Sequence, residues 1–236
     1  MGPAHTRIAA AASLTIAAAG AATAGDPIGW HPASVEVGLR SARFENGSQF
    51  LPTLGQTIEN RYRVATLDLA VSFASGPLTP DAPARWVASP FVGIDLDGWE
   101  RVPLGDRASD REGGAFSWSE VGLRAEREWR LDRRWSVLAG GHVAYTENQT
   151  TLVSPGSGTL RQEDVGRRYG LHAGVAGRLA DATSVTMRLG YPRIDLNETF
   201  ETFLVPGTGF VPSAGFDDDD TTLEGLEVGI GVRIGF

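Results

Sequence analysis

The chain has 236 residues, a formal net charge of −8, 30 glycines and no cysteine. This length suits a single domain, and an acidic balance without a basic cluster argues against a nucleic-acid partner. Without cysteine, the folded chain cannot depend on disulfide bonds, so another device must hold it together if it is exported.

The N-terminus has the pattern of an export signal. Arg7 gives a positive start, residues 8–21 form an apolar run of small side chains, and Ala22-Thr23-Ala24 matches an A-x-A cleavage site. We therefore predict a signal peptide over 1–24, cleaved before Gly25, and a periplasmic segment over 25–33. The run is too short to cross a bilayer as a helix, and no later apolar stretch approaches 18 residues. The chain is thus either soluble or crosses a membrane by strands.

The first four predicted strands share a period of two. In the second, Leu67 and Leu69 alternate with Asp68 and Ala70, which indicates a β-strand with unlike faces. These segments exceed the usual globular strand and match the ~9–11 residues that cross a bilayer at a tilt. Their predicted ranges are 34–43, 61–74, 85–97 and 116–129.

The last four predicted strands continue this alternation over 135–147, 165–179, 184–196 and 226–236. Proline cannot donate to a strand ladder, so Pro192 and Pro90 interrupt the pattern. After Pro192 the apolar residues move from odd to even positions, at Ile194 and Leu196. A switch by one residue is typical of a β-bulge, and we predict bulges near Pro192 and Pro90.

The connections alternate between short and long. Those over 75–84, 130–134 and 180–183 are short, whereas those over 44–60, 98–115, 148–164 and 197–223 are long and polar. Transmembrane barrels have short periplasmic turns and long outer loops, and carry aromatic girdles at both interfaces. Trp86, Trp129, Trp135 and Phe236 are predicted at the periplasmic ends, and Trp99, Phe116, Trp118, Tyr145 and Tyr191 at or near the outer ends.

The pattern predicts an all-β fold, an eight-stranded antiparallel up-and-down transmembrane β-barrel over 34–236. Alternation alone does not say which face points outward. The alternative is a soluble ligand-binding barrel that turns its apolar face inward. The girdles, the loop alternation and the terminal Phe236 favour an apolar exterior.

The last strand carries the most specific similarity to a known family. Apolar residues occupy alternate positions up to the terminal aromatic residue: Val228, Ile230, Val232, Ile234 and Phe236. In this the chain resembles the small eight-stranded Gram-negative outer-membrane β-barrels, the OmpA-barrel, OmpX and OmpW group. The resemblance implies that these residues are an assembly signal read by the outer-membrane assembly machinery. It also implies location in the cell outer membrane.

The opposite face of the strands carries charges of both signs. A contiguous lumen charge network is predicted for Glu36, Arg40, Asp68, Asp95, Arg124, Arg188, Glu227 and Arg233, and the same face holds Glu120, Glu126, His142, Arg168, His172 and Arg178. An eight-stranded barrel is just wide enough for side chains to fill, which favours an interior of ion pairs. The alternative is a narrow polar pore.

No catalytic constellation is evident, and no cofactor is predicted. Outer-membrane enzymes that modify lipid A use His with Ser, but neither His142 nor His172 has a serine two positions on; a pair formed across strands stays open. The acidic run Asp217, Asp218, Asp219 and Asp220 is a weak candidate for a divalent cation, since it lacks the spacing of a calcium loop.

The sequence therefore favours a non-enzymatic outer-membrane barrel with a structural or surface-interaction role. Its outer loops are the expected binding surface, because loops on a rigid scaffold carry recognition. The expected partners are outer-membrane lipid, lipopolysaccharide and the assembly machinery, with the chain as a monomer.

Overall fold

The computed structural model describes residues 29–45, 49–51, 56–58, 61–96, 113–154, 158–205, 209–212 and 221–236. Eight long strands form the wall within these residues. In chain order they are β1 (His31–Glu45), β2 (Arg61–Ala74), β3 (Ala84–Asp95), β4 (Gly113–Arg130), β5 (Trp135–Ser154), β6 (Gly158–Ala180), β7 (Thr183–Val205) and β8 (Thr221–Gly235).

The sheet closes on itself. Each strand pairs antiparallel with its chain neighbours, and β1 also pairs with β8. Val37, for example, lies opposite Leu69 of β2 and Val232 of β8. Closure leaves no open sheet edge, which is the condition for a sheet to span a bilayer. The predicted all-β, eight-stranded antiparallel barrel is confirmed.

The ends of the barrel differ. At one end the described turns are short, over 75–83, 131–134 and 181–182, and both His31 and Gly235 lie at this end. Short turns mark the periplasmic end of a transmembrane barrel. Among the described residues no helix has the length and apolar character needed to cross a membrane.

The strands run further at the outer end than predicted. β5 continues to Ser154 and β6 begins at Gly158, so most of the predicted loop 148–164 is strand. β7 likewise continues to Val205 and pairs there with a short strand, Gly209–Pro212. Beyond the membrane both faces of a strand meet water, so the ladder can continue without alternating apolar residues. The sequence pattern could not mark these ends.

The predicted bulges at Pro192 and Pro90 are wrong. Pro192 lies opposite Gly170 and Pro90 opposite Leu123, and neither proline shifts the register of its neighbours. Side chains continue to alternate in β7, with Tyr191 outward and Ile194 inward. The apolar switch arises because the interior itself becomes apolar at this height. A register shift does occur nearby, between Val165 and Gly166 in the pairing of β6 with β7.

The outer surface of the wall is apolar. Leu171 is 76% exposed, and the outward residues of every strand in the central band are similarly open. Trp86, Trp129, Trp135 and Phe236 are exposed at the periplasmic end, and Tyr145, Tyr169 and Tyr191 toward the outer end. This inside-out distribution confirms the transmembrane barrel, and the alternative of a soluble barrel with an apolar interior is wrong.

One predicted girdle residue is misplaced. Trp118 points inward and is buried, because it shares the lumen side of β4 with Glu120. Trp99, the signal peptide over 1–24 and its predicted cleavage point lie outside the described residues.

Candidate functional site

Strand alternation builds the barrel interior. Along β1 the inward side chains run from the periplasmic to the outer end as Ser34, Glu36, Arg40, Ala42 and Phe44, all buried. On several strands the inward residues are charged near the middle of the barrel and apolar toward the outer end, as with Glu227 and Leu223 on β8.

Nearest the periplasm lies a lower ion-pair layer, defined here as Glu36, Arg124, Glu126, Arg188 and Arg233. Arg188 bridges two carboxylates, with Nη1 at 2.6 Å from Glu36 Oε1 and Nε at 2.6 Å from Glu126 Oε1. Arg124 Nη2 donates to Glu36 Oε1 at 3.1 Å, and Arg233 Nε to Glu36 Oε2 at 3.4 Å. Three guanidinium groups thus share two carboxylates.

Above it lies an upper ion-pair layer, defined as Arg40, Asp68, Glu120, Arg168 and Glu227. Arg40 Nε lies 2.8 Å from Asp68 Oδ2, and its Nη1 3.3 Å from Glu227 Oε2. Arg168 Nη1 lies 3.2 Å from Glu120 Oε2. Arg40 also contacts Glu120, and Arg168 also contacts Glu227. Here two guanidinium groups share three carboxylates. The upper layer therefore has one excess negative charge and the lower layer one excess positive charge, and the two cancel.

Two buried histidines stand beside the layers. The rings of His142 and His172 stack with centroids 6.0 Å apart and planes 23° apart. His172 Nε2 lies 2.9 Å from Glu126 Oε1, whereas His142 Nε2 has no hydrogen-bond partner among the described residues. Both line a polar cavity of about 40 Å³, large enough for water. Among the described residues, neither ring makes a hydrogen bond with a serine hydroxyl.

An apolar layer closes the interior toward the outside. It is a single buried cluster made of Ala42, Phe44, Val64, Trp118, Ile194 and Leu223. Phe44 is 1% exposed and Ile194 is fully buried. This layer was not predicted from the sequence, because its members share the lumen side with charged residues elsewhere on the same strands.

The structure brings together seven of the eight residues predicted for the lumen network. Glu36, Arg124, Arg188 and Arg233 lie in the lower layer, and Arg40, Asp68 and Glu227 in the upper layer. Asp95 lies opposite Thr66 on the lumen side and is half-buried.

Further charged residues of the lumen side lie in the network or at the periplasmic mouth. Glu120, Glu126 and Arg168 are central to the network, while Arg178 is exposed at the periplasmic mouth. The pair of Arg85 and Glu128, 2.9 Å apart at the periplasmic side of the lower layer, was missed. The sequence could have predicted that Glu128 faces the lumen, since it continues the alternation of Glu120 and Glu126 along β4.

The remaining predicted residues lie on the wall or outside the described chain. Val228, Ile230, Val232, Ile234 and Phe236 all face outward and are exposed. The acidic run at 217–220 lies outside the described residues. Within the described part of the chain, no group of three His, Asp or Glu side chains could hold a metal ion.

Comparison with family models and with curated protein sequences finds no match. Among solved structures, the chain is similar to Neisserial surface protein A, with 12% identity over 86% of this chain and 97% of that one, at a TM-score of 0.41. It is also similar to a major outer membrane protein of Thermus thermophilus, with 16% identity, coverage of 86% and 100%, and a TM-score of 0.46. It is similar as well to the outer membrane protein OprG of Pseudomonas aeruginosa, with 15% identity over 87% of this chain and 97% of that one, at a TM-score of 0.41.

At such identities and TM-scores these similarities add no argument about function. The assignment rests on the strand pairing, the apolar exterior and the charged interior. The chain is an eight-stranded outer-membrane β-barrel.

Proposed function

We propose that this barrel is non-conducting and serves as a structural and surface-interaction protein of the outer membrane. One observation carries the proposal: buried side chains occupy the barrel interior above the periplasmic mouth. Two layers of buried ion pairs occupy the middle, and Phe44, Trp118 and Ile194 seal the outer end. We infer that these layers block the passage of water and ions, which leaves activity to the outer surface.

Planar-bilayer recording of the refolded protein tests this. The expected result is no unitary current at any voltage, with a known open porin inserted in the same membrane as the positive control. Reproducible channels from the wild-type protein would overturn the proposal and favour the narrow pore.

We also propose lipopolysaccharide as a partner of the outer wall. An exposed polar cluster lies just above the outward tyrosines. Arg193 Nε donates to Asp195 Oδ1 at 3.0 Å, Arg193 Nη1 to Glu224 Oε1 at 3.3 Å, and the Tyr169 hydroxyl to Asp195 Oδ2 at 2.8 Å. A guanidinium suits lipid phosphates, and carboxylates suit the divalent cations that bridge them.

Reconstitution tests the contact with lipopolysaccharide. The wild-type barrel should gain thermal stability when lipopolysaccharide and Mg²⁺ are added to phospholipid vesicles, and Arg193→Gln should reduce that gain. An equal gain in both proteins would contradict this partner. Parts of the loops predicted to carry recognition lie outside the described residues.

Two further parts of the proposal concern catalysis and assembly. We expect the barrel to catalyse no reaction on lipid A. The mass of lipid A should then be the same in cells with and without the protein.

We expect the outward face of β8 to be the assembly signal of a monomeric barrel. Phe236→Ser should then lower outer-membrane assembly in cells while leaving refolding in detergent unchanged, and equal loss in both assays would contradict a signal.

A further inference from the structure

The lumen opens toward the periplasm into a cavity of about 350 Å³, here called the periplasmic vestibule. It lies below the lower ion-pair layer, between the β4–β5 turn, the β6–β7 turn and the first residues of β1. Six arginine side chains line it: Arg85, Arg130, Arg133, Arg134, Arg178 and Arg233. The proposed function makes no use of this space.

The acidic residues of the vestibule do not neutralise these arginines. Three carboxylates line it, those of Glu128, Asp132 and Asp181. Glu128 is engaged by Arg85 at 2.9 Å and by Arg233 at 3.5 Å. The Asp132 carboxylate accepts backbone N–H groups, from Arg134 at 2.6 Å and from Trp135 at 2.8 Å. Among the side chains that line the vestibule, the arginines therefore outnumber the carboxylates two to one.

Several donors in the vestibule are uncommitted. Within the described residues, the side chains of Arg133, Arg134 and Arg178 make no hydrogen bond or ion pair to another side chain. The backbone N–H of Arg178 donates to the carbonyl of Arg134 at 2.8 Å, which places the backbones of these two arginines side by side. Deeper in, Arg233 is 5% exposed; its Nη2 lies 3.8 Å from Glu126 Oε2, within ion-pair distance, but makes no hydrogen bond among the described atoms.

We propose that the periplasmic vestibule is a binding site for a phosphate-bearing ligand. Guanidinium groups form bidentate, charge-assisted hydrogen bonds with phosphate oxygens. Arg134 and Arg178 would hold the phosphate at the mouth, and Arg233 Nη2 supplies a buried donor behind them. The volume falls in the lower part of the range for small-molecule sites, which admits a phosphate with a small organic group attached.

Titration of the refolded full chain with inorganic phosphate tests the site. The protein is held in a sugar-headgroup detergent, which carries no competing phosphate, and the arginine Nε–H resonances are followed by NMR. We expect saturable shifts at Arg134, Arg178 and Arg233. The double variant Arg134→Gln/Arg178→Gln should weaken binding at least roughly tenfold, because two charge-assisted hydrogen bonds are removed.

The matched control is Arg167→Gln. It makes the same kind of substitution, with the loss of one positive charge, at an exposed position near the outer end, and should alter phosphate affinity by no more than about twofold. Unchanged heat-modifiable gel mobility verifies that each variant is folded. Absence of saturable shifts, or equal weakening in the double variant and the control, would overturn the proposal.

A second arm distinguishes the source of the phosphate. The protein is placed in nanodiscs with and without anionic phosphatidylglycerol. Shifts at Arg178 from the lipid alone, with weaker binding of added phosphate, assign the site to a lipid headgroup. Unchanged resonances in these nanodiscs, with phosphate binding retained, assign it to a free periplasmic solute.

Discussion

Each charged side chain in the barrel interior depends on its neighbours more than a surface charge does. Glu120 and Glu126 are fully buried, and each meets two or three cations. Water does not reach them in the quantity needed to replace a lost partner. Removing one charge therefore leaves its partner buried without compensation, which strongly lowers the free energy of unfolding.

Arg168→Met should strongly destabilise the barrel. The change keeps an unbranched side chain but leaves Glu120 and Glu227 with Arg40 as their shared cation in the upper layer. We expect a loss on the order of 3–5 kcal/mol in the free energy of unfolding. Urea unfolding in micelles, followed by tryptophan fluorescence, measures it.

Arg193→Met is the matched control for Arg168→Met. It breaks the same kind of pair, to Asp195 and Glu224, where the Arg193 side chain is 45% exposed. The expected loss is about 0–1 kcal/mol. Equal losses for the two variants would show that the interior charges are as well hydrated as those of the surface.

Asp132 gives the periplasmic end a pH dependence. Hydrogen bonds from the backbone N–H of Arg134 and then of Trp135 lower the pKa of the Asp132 carboxyl below its ordinary value. Its contribution to stability is therefore present above the unfolded-state pKa and is lost as pH falls through the folded pKa. Asp132→Ala should be less stable than wild type near neutral pH, with the difference shrinking at acidic pH.

The control for this prediction is Asp132→Asn, which keeps an oxygen acceptor for the turn and removes the titration. The stability of Asp132→Asn relative to Asp132→Ala should not change with pH. Chemical unfolding at neutral and acidic pH measures both differences. If the gap between wild type and Asp132→Ala is constant with pH, the lowered pKa contributes nothing to stability.

At the scale of the strand, closure depends on how near β8 lies to β1. A Cβ on Gly225 would overlap the carbonyl oxygen of Arg43, whereas a Cβ on Gly229 would meet nothing nearer than the carbonyl oxygen of Leu39 at 3.9 Å. Both glycines lie on the lumen side of β8, opposite β1. They form a matched pair that differs in the space available.

Gly225→Ala should impair closure and Gly229→Ala should not. The added methyl at 225 forces backbone displacement, and overpacking of this kind costs about 1–3 kcal/mol. We expect a lower yield of the heat-modifiable folded form for Gly225→Ala, and a wild-type yield for Gly229→Ala. Similar yields would mean that β8 can move away from β1 without cost.

At the scale of the whole molecule, the membrane decides which substitutions are tolerated. The exterior band is apolar between the two girdles, and Met187 lies near its middle, opposite Val175 and Ile230. Leu179 faces outward at the periplasmic edge of the same wall and is 71% exposed. The same charged side chain would therefore lie deep in the hydrocarbon at position 187 and close to the interface at position 179.

Met187→Arg should cost about 2–4 kcal/mol in a bilayer, and Leu179→Arg about 0–1 kcal/mol, because the cost of a lipid-facing arginine falls toward the interface. Unfolding of protein reconstituted in phospholipid vesicles measures both. A cost that is the same at the two positions would contradict the placement of the band.

Much of the interior followed from strand alternation. Glu36 and Arg233 were expected together because the first and last strands of a closed barrel must pair, and they do lie opposite one another. The apolar layer could not be predicted in the same way. Ile194 is apolar on the lumen side, and a one-dimensional pattern cannot distinguish an inward apolar residue from an outward one displaced by a bulge.

The sequence by itself determined that the chain forms strands, how many cross the membrane and which face is apolar, because period two is a local property of the backbone. Closure, by contrast, joins strands from opposite ends of the chain. Tertiary structure therefore decided which guanidinium group pairs with which carboxylate. It also placed Trp118 in the apolar layer of the interior. It also gathered the arginines of one turn and four strands around one vestibule. These features depend on how eight strands are staggered around the ring, and that stagger is set by the packing of the whole barrel.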